Sequence, residues 1–209
     1  MFWFMTIGLF LLINTSLGCS PPSFSSLSVE KNFNLYKFLG FWYSVEFNNT
    51  DLSPADVFAE FVQLFQLEND VTKHLLFFTK AKQSGSQNCI SPFTLSVYAN
   101  NSAKMILEKL DITSATTLNH PLYVLKTDYD HYALTYRCVT PNYNLNQPCQ
   151  HREFLLYSRK PYLERKYLVP LERYIINVLC INSKDFVRNT FRRPFCYPIE
   201  DFDSNSHGH

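Results

Sequence analysis

The sequence lacks any block of like charge. Its 19 lysine and arginine residues and 18 aspartate and glutamate residues leave a formal net charge of +1. This balance argues against the basic surface by which proteins bind nucleic acids or anionic membranes. The sequence also lacks an internal repeat and a long linker. Its 209 residues therefore predict one domain, or at most two small ones.

Cysteine pairs of the CxxC type are absent as well, which argues against a zinc cluster.

Lysine and arginine are missing from the N-terminal run MFWFMTIGLFLLINTSLG. The apolar part of this run, from Phe2 to Ile13, is too short to span a bilayer comfortably. The basic start that is usual for a signal peptide is missing, but the short apolar run followed by the small residues Ser16 and Gly18 still predicts one over residues 1–18, cleaved before Cys19. The protein is therefore expected to be secreted. A cut after Ser20 would instead remove Cys19.

Six cysteines follow this run, which is an even count: Cys19, Cys89, Cys138, Cys149, Cys180 and Cys196. In a secreted chain an even count predicts disulfides, and six cysteines allow fifteen pairings. Two N-x-S/T sequons beyond residue 18, at Asn48 and Asn100, predict glycosylation of a secreted protein.

Short runs rich in aromatic and β-branched residues, with turn signals between them, dominate the chain up to Pro161. Eight of these runs are predicted to be strands: residues 42–47, 56–67, 73–82, 91–98, 103–110, 122–127, 131–139 and 151–159. Eight regularly spaced strands favour an up-and-down barrel or a sandwich. Beyond them Leu171, Tyr174, Ile175 and Val178 lie on one helical face, with Pro170 expected near the helix start. The polar residues 201–209 are predicted to be disordered.

Three short blocks then occur in a fixed order: GFW at residues 40–42, TDY at 127–129 and SR at 158–159. Their order and spacing after a signal peptide resemble the signature of the lipocalins. The resemblance is closest to the plasma retinol-binding proteins, and it extends over NF-x(6)-G-x-WY (32–43), AEF (59–61), TDYD-x-YA (127–133) and SRKP (158–161). It implies an all-β fold over residues 19–200, an eight-stranded antiparallel up-and-down lipocalin barrel with a C-terminal α-helix packed on its side.

The resemblance also implies structural roles and a disulfide pattern. Arg159 would lie over the Trp42 ring at the closed end of the barrel. The resemblance also gives structural roles to four other residues of the signature blocks: Gly40, Thr127, Asp128 and Tyr129. The alternative is that Trp42 is an ordinary core residue and Arg159 a surface charge. The implied disulfides are Cys19–Cys180, Cys89–Cys196 and Cys138–Cys149. The last pair agrees with the strand prediction, because its cysteines flank one predicted hairpin.

The function that the resemblance implies is carriage of a small hydrophobic ligand, retinol or a related retinoid, in the barrel cavity. Residues 132–138 have one face with Tyr132, Leu134 and Tyr136 and another with Ala133, Thr135 and Arg137. The helix needs an apolar partner, which leaves the second face for the ligand. The resemblance adds further ligand-binding positions, so the predicted set is Ala59, Phe61, Leu107, Lys109, Ala133, Thr135, Arg137, Glu153, Leu155 and Tyr157.

Lys109, Arg137 and Glu153 depart from the retinol carriers, because they place ionisable groups where the family has uncharged ones. A buried charge needs a partner, so either cation is expected to pair with Glu153 or to hold a ligand carboxylate. The second case would favour retinoic acid, a fatty acid or another amphipathic lipid. A register shift of one residue would instead place Lys109 outside.

The remaining expectations concern partners and chemistry. Transthyretin binding is doubtful, because the mouth loops read Ser84-Gly85-Ser86 and Thr113-Ser114-Ala115-Thr116 and lack large apolar anchors. No cofactor, metal, nucleic acid, stable membrane insertion or catalytic residue is expected, and the protein is expected to be a monomer. Asp128, Asp130 and His131 could form an acidic site, but aspartates in turns more often bond their own backbone. The rival functions are a lipocalin-type isomerase with a reactive thiol and an interaction protein without a pocket.

Overall fold

A closed ring of eight antiparallel strands forms the body of the protein. The computed structural model describes residues 19–48, 58–83, 88–99, 102–111, 116–140 and 143–191. The strands are β1 (Gly40–Asn48), β2 (Phe58–Asn69), β3 (His74–Gln83), β4 (Cys89–Tyr98), β5 (Lys104–Asp111), β6 (Thr116–Thr127), β7 (Tyr132–Cys138) and β8 (Arg152–Ser158). Each strand pairs with the next along the chain, and β1 pairs with both β8 and β2. The predicted up-and-down barrel is confirmed.

Two α-helices and a short strand lie outside the ring, together with the 3-10 turns Phe24–Ser26 and Ser183–Asp185. The one-turn helix α1 (Leu35–Phe38) precedes β1, the helix α2 (Arg165–Asn177) follows β8, and the two-residue strand β9 (Val187–Arg188) follows α2. The C-terminal helix is therefore confirmed. No helix in the described ranges is long and apolar enough to cross a membrane.

Two boundary predictions are wrong, and both involve proline. Pro170 was expected near the start of α2, but five helical residues precede it. It therefore lies beyond the first four positions, whose N–H groups have no helical partner, and α2 forgoes one internal hydrogen bond. Strand β6 begins at Thr116 rather than at residue 122. Its ladder with β5 continues through Pro121, opposite Ile106, although proline supplies no N–H to it.

The two faces of the sheet bury two separate apolar clusters. The outer cluster lies between the barrel and α2, where Leu134 and Tyr136 of β7 meet Leu171 and Ile175 of the helix. The inner cluster is enclosed by the strands and includes Ala133 of β7. The helix therefore takes the Leu134/Tyr136 face, and the face with Ala133 points into the barrel, as the sequence pattern predicted.

The ring is irregular where β1 leaves β2. Pairing between these strands ends at Tyr43 and Val62, and β9 then takes the same edge of β1 at Glu46 and Phe47. Arg188 of β9 contacts two carboxylates, Glu46 at 2.7 Å and Glu172 of α2 at 2.5 Å. Burial raises the pKa of Glu46 above its ordinary value, although its hydrogen bond to Arg188 opposes the shift.

One disulfide ties the β7–β8 connection to the ring, and another ties the N-terminal segment to the segment that follows α2. Cys138 pairs with Cys149 at a Cα separation of 5.8 Å, and Cys19 pairs with Cys180 at 5.4 Å. Both pairings were predicted and are confirmed. Cys89 is also disulfide-bonded, and its predicted partner Cys196 lies outside the described residues.

Candidate functional site

One end of the barrel is closed by Arg159, which follows β8. Its guanidinium carbon lies 3.6 Å from the centroid of the Trp42 ring. The same group donates hydrogen bonds to the carbonyls of Tyr129 at 2.9 Å, Phe41 at 2.7 Å and Lys37 at 2.9 Å. Burial lowers the pKa of Arg159 to about 10, so the group stays cationic at neutral pH. Arg159 thus ties β1, α1 and the β6–β7 turn together, which is the predicted structural role.

The TDYD stretch forms the turn between β6 and β7. Asp128 accepts hydrogen bonds from the backbone N–H groups of His131 at 2.8 Å and Tyr132 at 3.0 Å, and from the His131 ring at 2.8 Å. Burial raises the pKa of Asp128, but these three donors outweigh it and hold the pKa below its ordinary value. Tyr129 has a φ of 69° and its hydroxyl accepts from the N–H of Asn34 at 2.9 Å. The Asp128 carboxylate oxygens are thus occupied within the turn, and the Tyr129 hydroxyl links the turn to Asn34.

Aromatic rings form the floor of the barrel above this closed end. The Phe38 ring lies 5.4 Å from Trp42 and 4.9 Å from Phe65, and Phe65 lies 4.5 Å from Phe77. The Trp42 indole also donates to the carbonyl of Phe38 at 2.8 Å. Tyr157 adjoins this group, with its ring 6.3 Å from both Trp42 and Phe65. Because the rings fill this end, a ligand would have to lie above them.

A row of buried polar side chains lies next to this floor on five neighbouring strands. We call it the polar arc, and it consists of Thr79 on β3, Gln63 on β2, Ser44 on β1, Tyr157 on β8 and Thr135 on β7. The Tyr157 hydroxyl donates to the side-chain amide oxygen of Gln63, and the side-chain amide nitrogen of Gln63 donates to the Thr79 hydroxyl at 3.5 Å. Sequence reasoning missed Ser44, Gln63 and Thr79.

An ion pair lies further along β7 and β8, the two strands that carry Thr135 and Tyr157 of the polar arc. Arg137 of β7 is directly opposite Glu153 of β8, and its Nε donates to the Glu153 carboxylate at 2.9 Å. The Glu153 residue is only 7% exposed. The expected pair with Glu153 is thus made by Arg137. Lys109 is opposite Leu118 in the β5–β6 ladder, and its side chain lies outside the described part of the chain.

The other predicted ligand-binding residues fall into two groups. Leu107, Ala133, Leu155 and Tyr157 belong to the inner cluster, and Thr135 is 1% exposed on the face of β7 that also carries Ala133. The positions of Ala59 and Phe61 lie on β2, but their side chains are outside the described part. The structure therefore brings five predicted positions together inside the barrel, and their contact with a ligand stays a prediction.

The glycosylation prediction at Asn48 conflicts with the folded geometry. Asn48 is 3% exposed, its amide nitrogen donates to the carbonyl of Arg152 at 3.3 Å, and its amide oxygen accepts from the N–H of Phe154 at 2.8 Å. A glycan on this nitrogen would need solvent access that the β1–β8 pairing removes. Asn100 lies outside the described residues, as do the predicted mouth loops at 84–86 and 113–115.

Solved structures with the same architecture are known. Lobster apocrustacyanin A1 superposes with a TM-score of 0.57 at 19% identity, over 78% of this chain and 83% of that one. Apocrustacyanins C2 and C1 each superpose with a TM-score of 0.58 at 17% identity, over the same shares. The chain has the lipocalin fold. No protein-family model and no curated protein sequence matches it. The likeness concerns the fold alone, and the closer resemblance to retinol-binding proteins stays a prediction.

Proposed function

We propose that the protein is a secreted carrier that binds a small hydrophobic ligand, retinol or a related neutral retinoid, inside its barrel. The observation that carries this proposal is the inner cluster, which is distinct from the cluster under α2. Its member Ala133, on β7 opposite Tyr157, is small, so this part of the wall projects little into the barrel. Enclosing an elongated apolar molecule there would be driven by burial at about 25 cal/mol per Å².

The ion pair on β7 and β8 favours a neutral ligand over an acid. The Arg137 guanidinium already has the Glu153 carboxylate as its partner. A ligand carboxylate placed beside this pair would meet the negative charge of Glu153 as well as the positive charge of Arg137. A hydroxyl or carbonyl group avoids that repulsion and still accepts or donates a hydrogen bond.

Two features support secretion and a role in binding rather than thiol chemistry. The disulfides Cys19–Cys180 and Cys138–Cys149 are of the kind that persists in oxidising compartments. All five cysteines within the described ranges are disulfide-bonded, so none of these five supplies the free thiol of an isomerase.

Titration of the purified secreted protein with retinol, retinoic acid and a long-chain fatty acid tests this proposal. We expect saturable binding of retinol, and weaker binding of the two acids. An Arg137→Gln/Glu153→Gln double variant removes both charges while keeping two polar groups of similar size. It should reduce the preference for retinol over retinoic acid. Absence of saturable binding for all three ligands would refute the carrier function, and a wild-type preference for the acids would refute the neutral ligand.

A further inference from the structure

The Ser44 hydroxyl is a polar group that the barrel encloses without satisfying it. Ser44 has no exposed surface, and its Oγ has no hydrogen-bond partner among the described residues. Strand alternation places it inside: Trp42, two residues earlier, belongs to the inner cluster, whereas Tyr43 contacts Phe191 and Val45 belongs to the outer cluster. A buried hydroxyl without a partner is unfavourable, so its presence requires an explanation.

Ser44 does not stand alone, because it is a member of the polar arc. It is opposite Tyr157 in the β1–β8 ladder, and Gln63 is opposite Trp42 in the β1–β2 ladder. Gln63 is also opposite Thr79, and Thr135 lies two residues beyond Ala133, the partner of Tyr157. Arc members on neighbouring strands are thus either directly opposite each other or two residues apart along the strand. Such two-residue offsets are expected because the strands of a barrel are tilted against its axis. Five strands thus place hydroxyl or amide groups around one side of the interior.

The chemistry of the polar arc specifies what it would bind. A serine hydroxyl and a glutamine amide can each donate and accept a hydrogen bond, so they suit an oxygen atom of a neutral group. None of the five arc residues carries a positive charge that would balance a carboxylate. The aromatic floor of Phe38, Trp42, Phe65 and Phe77 adjoins the arc, so the group is held where the barrel is closed.

We propose that the polar arc is a ligand subsite for a neutral hydroxyl or carbonyl group on the end of the ligand that enters the barrel first. This inference rests on the proposed carrier function and makes it more specific. The preferred ligand then carries oxygen at both ends of an apolar body. One oxygen lies at the polar arc, and the other lies towards the Arg137–Glu153 pair.

Retinol and 4-oxoretinol are a matched pair of probes, because they differ in a ketone on the ring end and share the hydroxyl end. We expect the wild-type protein to bind 4-oxoretinol about tenfold more tightly than retinol, which corresponds to one additional hydrogen bond. In a Ser44→Ala variant the ratio of the two dissociation constants should fall to about threefold or less. Gln63→Met should lower the ratio as well.

A stability measurement separates this role from a structural one. The Ser44→Ala variant removes an unsatisfied hydroxyl, so the ligand-free variant should melt about 2–4 °C above the wild type while binding 4-oxoretinol less tightly. Ser158→Ala is the matched control. The Ser158 hydroxyl donates to the carbonyl of Tyr162 at 2.8 Å, away from the polar arc. This control should lower the melting temperature and leave the ratio of the two affinities unchanged.

The outcomes distinguish the subsite from the carrier function. Equal wild-type affinities for the two retinoids, or an unchanged ratio in Ser44→Ala, would overturn the subsite and leave the carrier function standing. Failure of the wild type to bind either retinoid would overturn the carrier function, and the subsite with it.

Discussion

The closing group Arg159 offers the sharpest test of how the barrel is held shut. An Arg159→Ala variant loses three short guanidinium–carbonyl hydrogen bonds, at 2.9, 2.7 and 2.9 Å, a long one to the carbonyl of Phe38 at 3.5 Å, and the contact with the Trp42 ring at 3.6 Å. Three hydrogen bonds contribute about 1 kcal/mol each after solvent exchange. The cation–π contact adds about 0.5–2 kcal/mol. The expected loss in the free energy of unfolding is therefore about 3–5 kcal/mol.

Urea unfolding followed by tryptophan fluorescence measures this loss directly. The chain has two tryptophans, Trp3 and Trp42, and the first lies in the predicted signal peptide. The emission of the mature protein would thus report the floor of the barrel alone. Arg159→Lys is the control, because it keeps a cation but not the planar group that reaches three carbonyls, and it should lose roughly half as much. A loss below about 1 kcal/mol in Arg159→Ala would show that Arg159 is an ordinary surface charge.

Three further perturbations have expected outcomes. Arg137→Leu should destabilise the protein by about 3–5 kcal/mol in thermal unfolding, because Glu153 is left buried and unpaired. The double variant Arg137→Leu/Glu153→Leu should recover most of that loss, because no unpaired charge remains. Equal losses in both variants would contradict this expectation. The pKa of Asp128 in the folded protein lies below its ordinary value of 3.8. The stability that the ionised carboxylate contributes is therefore present above pH 3.8 and is lost as the pH falls through the folded pKa. The stability difference between wild type and Asp128→Asn should therefore shrink below about pH 4, and a difference independent of pH would refute this sign. Replacing Cys138 and Cys149 together by serine should cost about 2–3 kcal/mol in urea unfolding, and no loss would show that this disulfide does not restrain the unfolded chain.

Much of the fold was predictable because its signals are local. Alternating apolar runs located all eight barrel strands, and each predicted run overlaps one observed strand. The inward face of β7 was predictable from one further argument, that α2 needs an apolar partner, which Leu134 and Tyr136 supply. The errors arose where a local rule was outweighed by the rest of the fold. Pro121 reads as a strand breaker, yet the neighbours of β6 hold it within the ladder.

The candidate site was less predictable, because it depends on register between distant strands. Ser44, Gln63 and Thr79 are single polar residues at inward positions of apolar runs, and each one alone resembles an ordinary buried polar residue. Their common feature emerges only when Gln63 is opposite Thr79 and Ser44 is opposite Tyr157. Sequence spacing does not specify such registers. The Arg137–Glu153 pair was predictable only as one of two options, since Lys109 was an equal candidate.

Titration of the mature protein with retinol, with energy transfer from Trp42 to the bound retinoid as the readout, tests the central claim most directly. A retinoid inside the barrel lies close to the Trp42 indole, which is fully buried in the floor. We predict a transfer signal that saturates at one retinol per chain and disappears when the protein is unfolded in urea. A signal that rises in proportion to added retinol without saturating, or that survives unfolding, would contradict it.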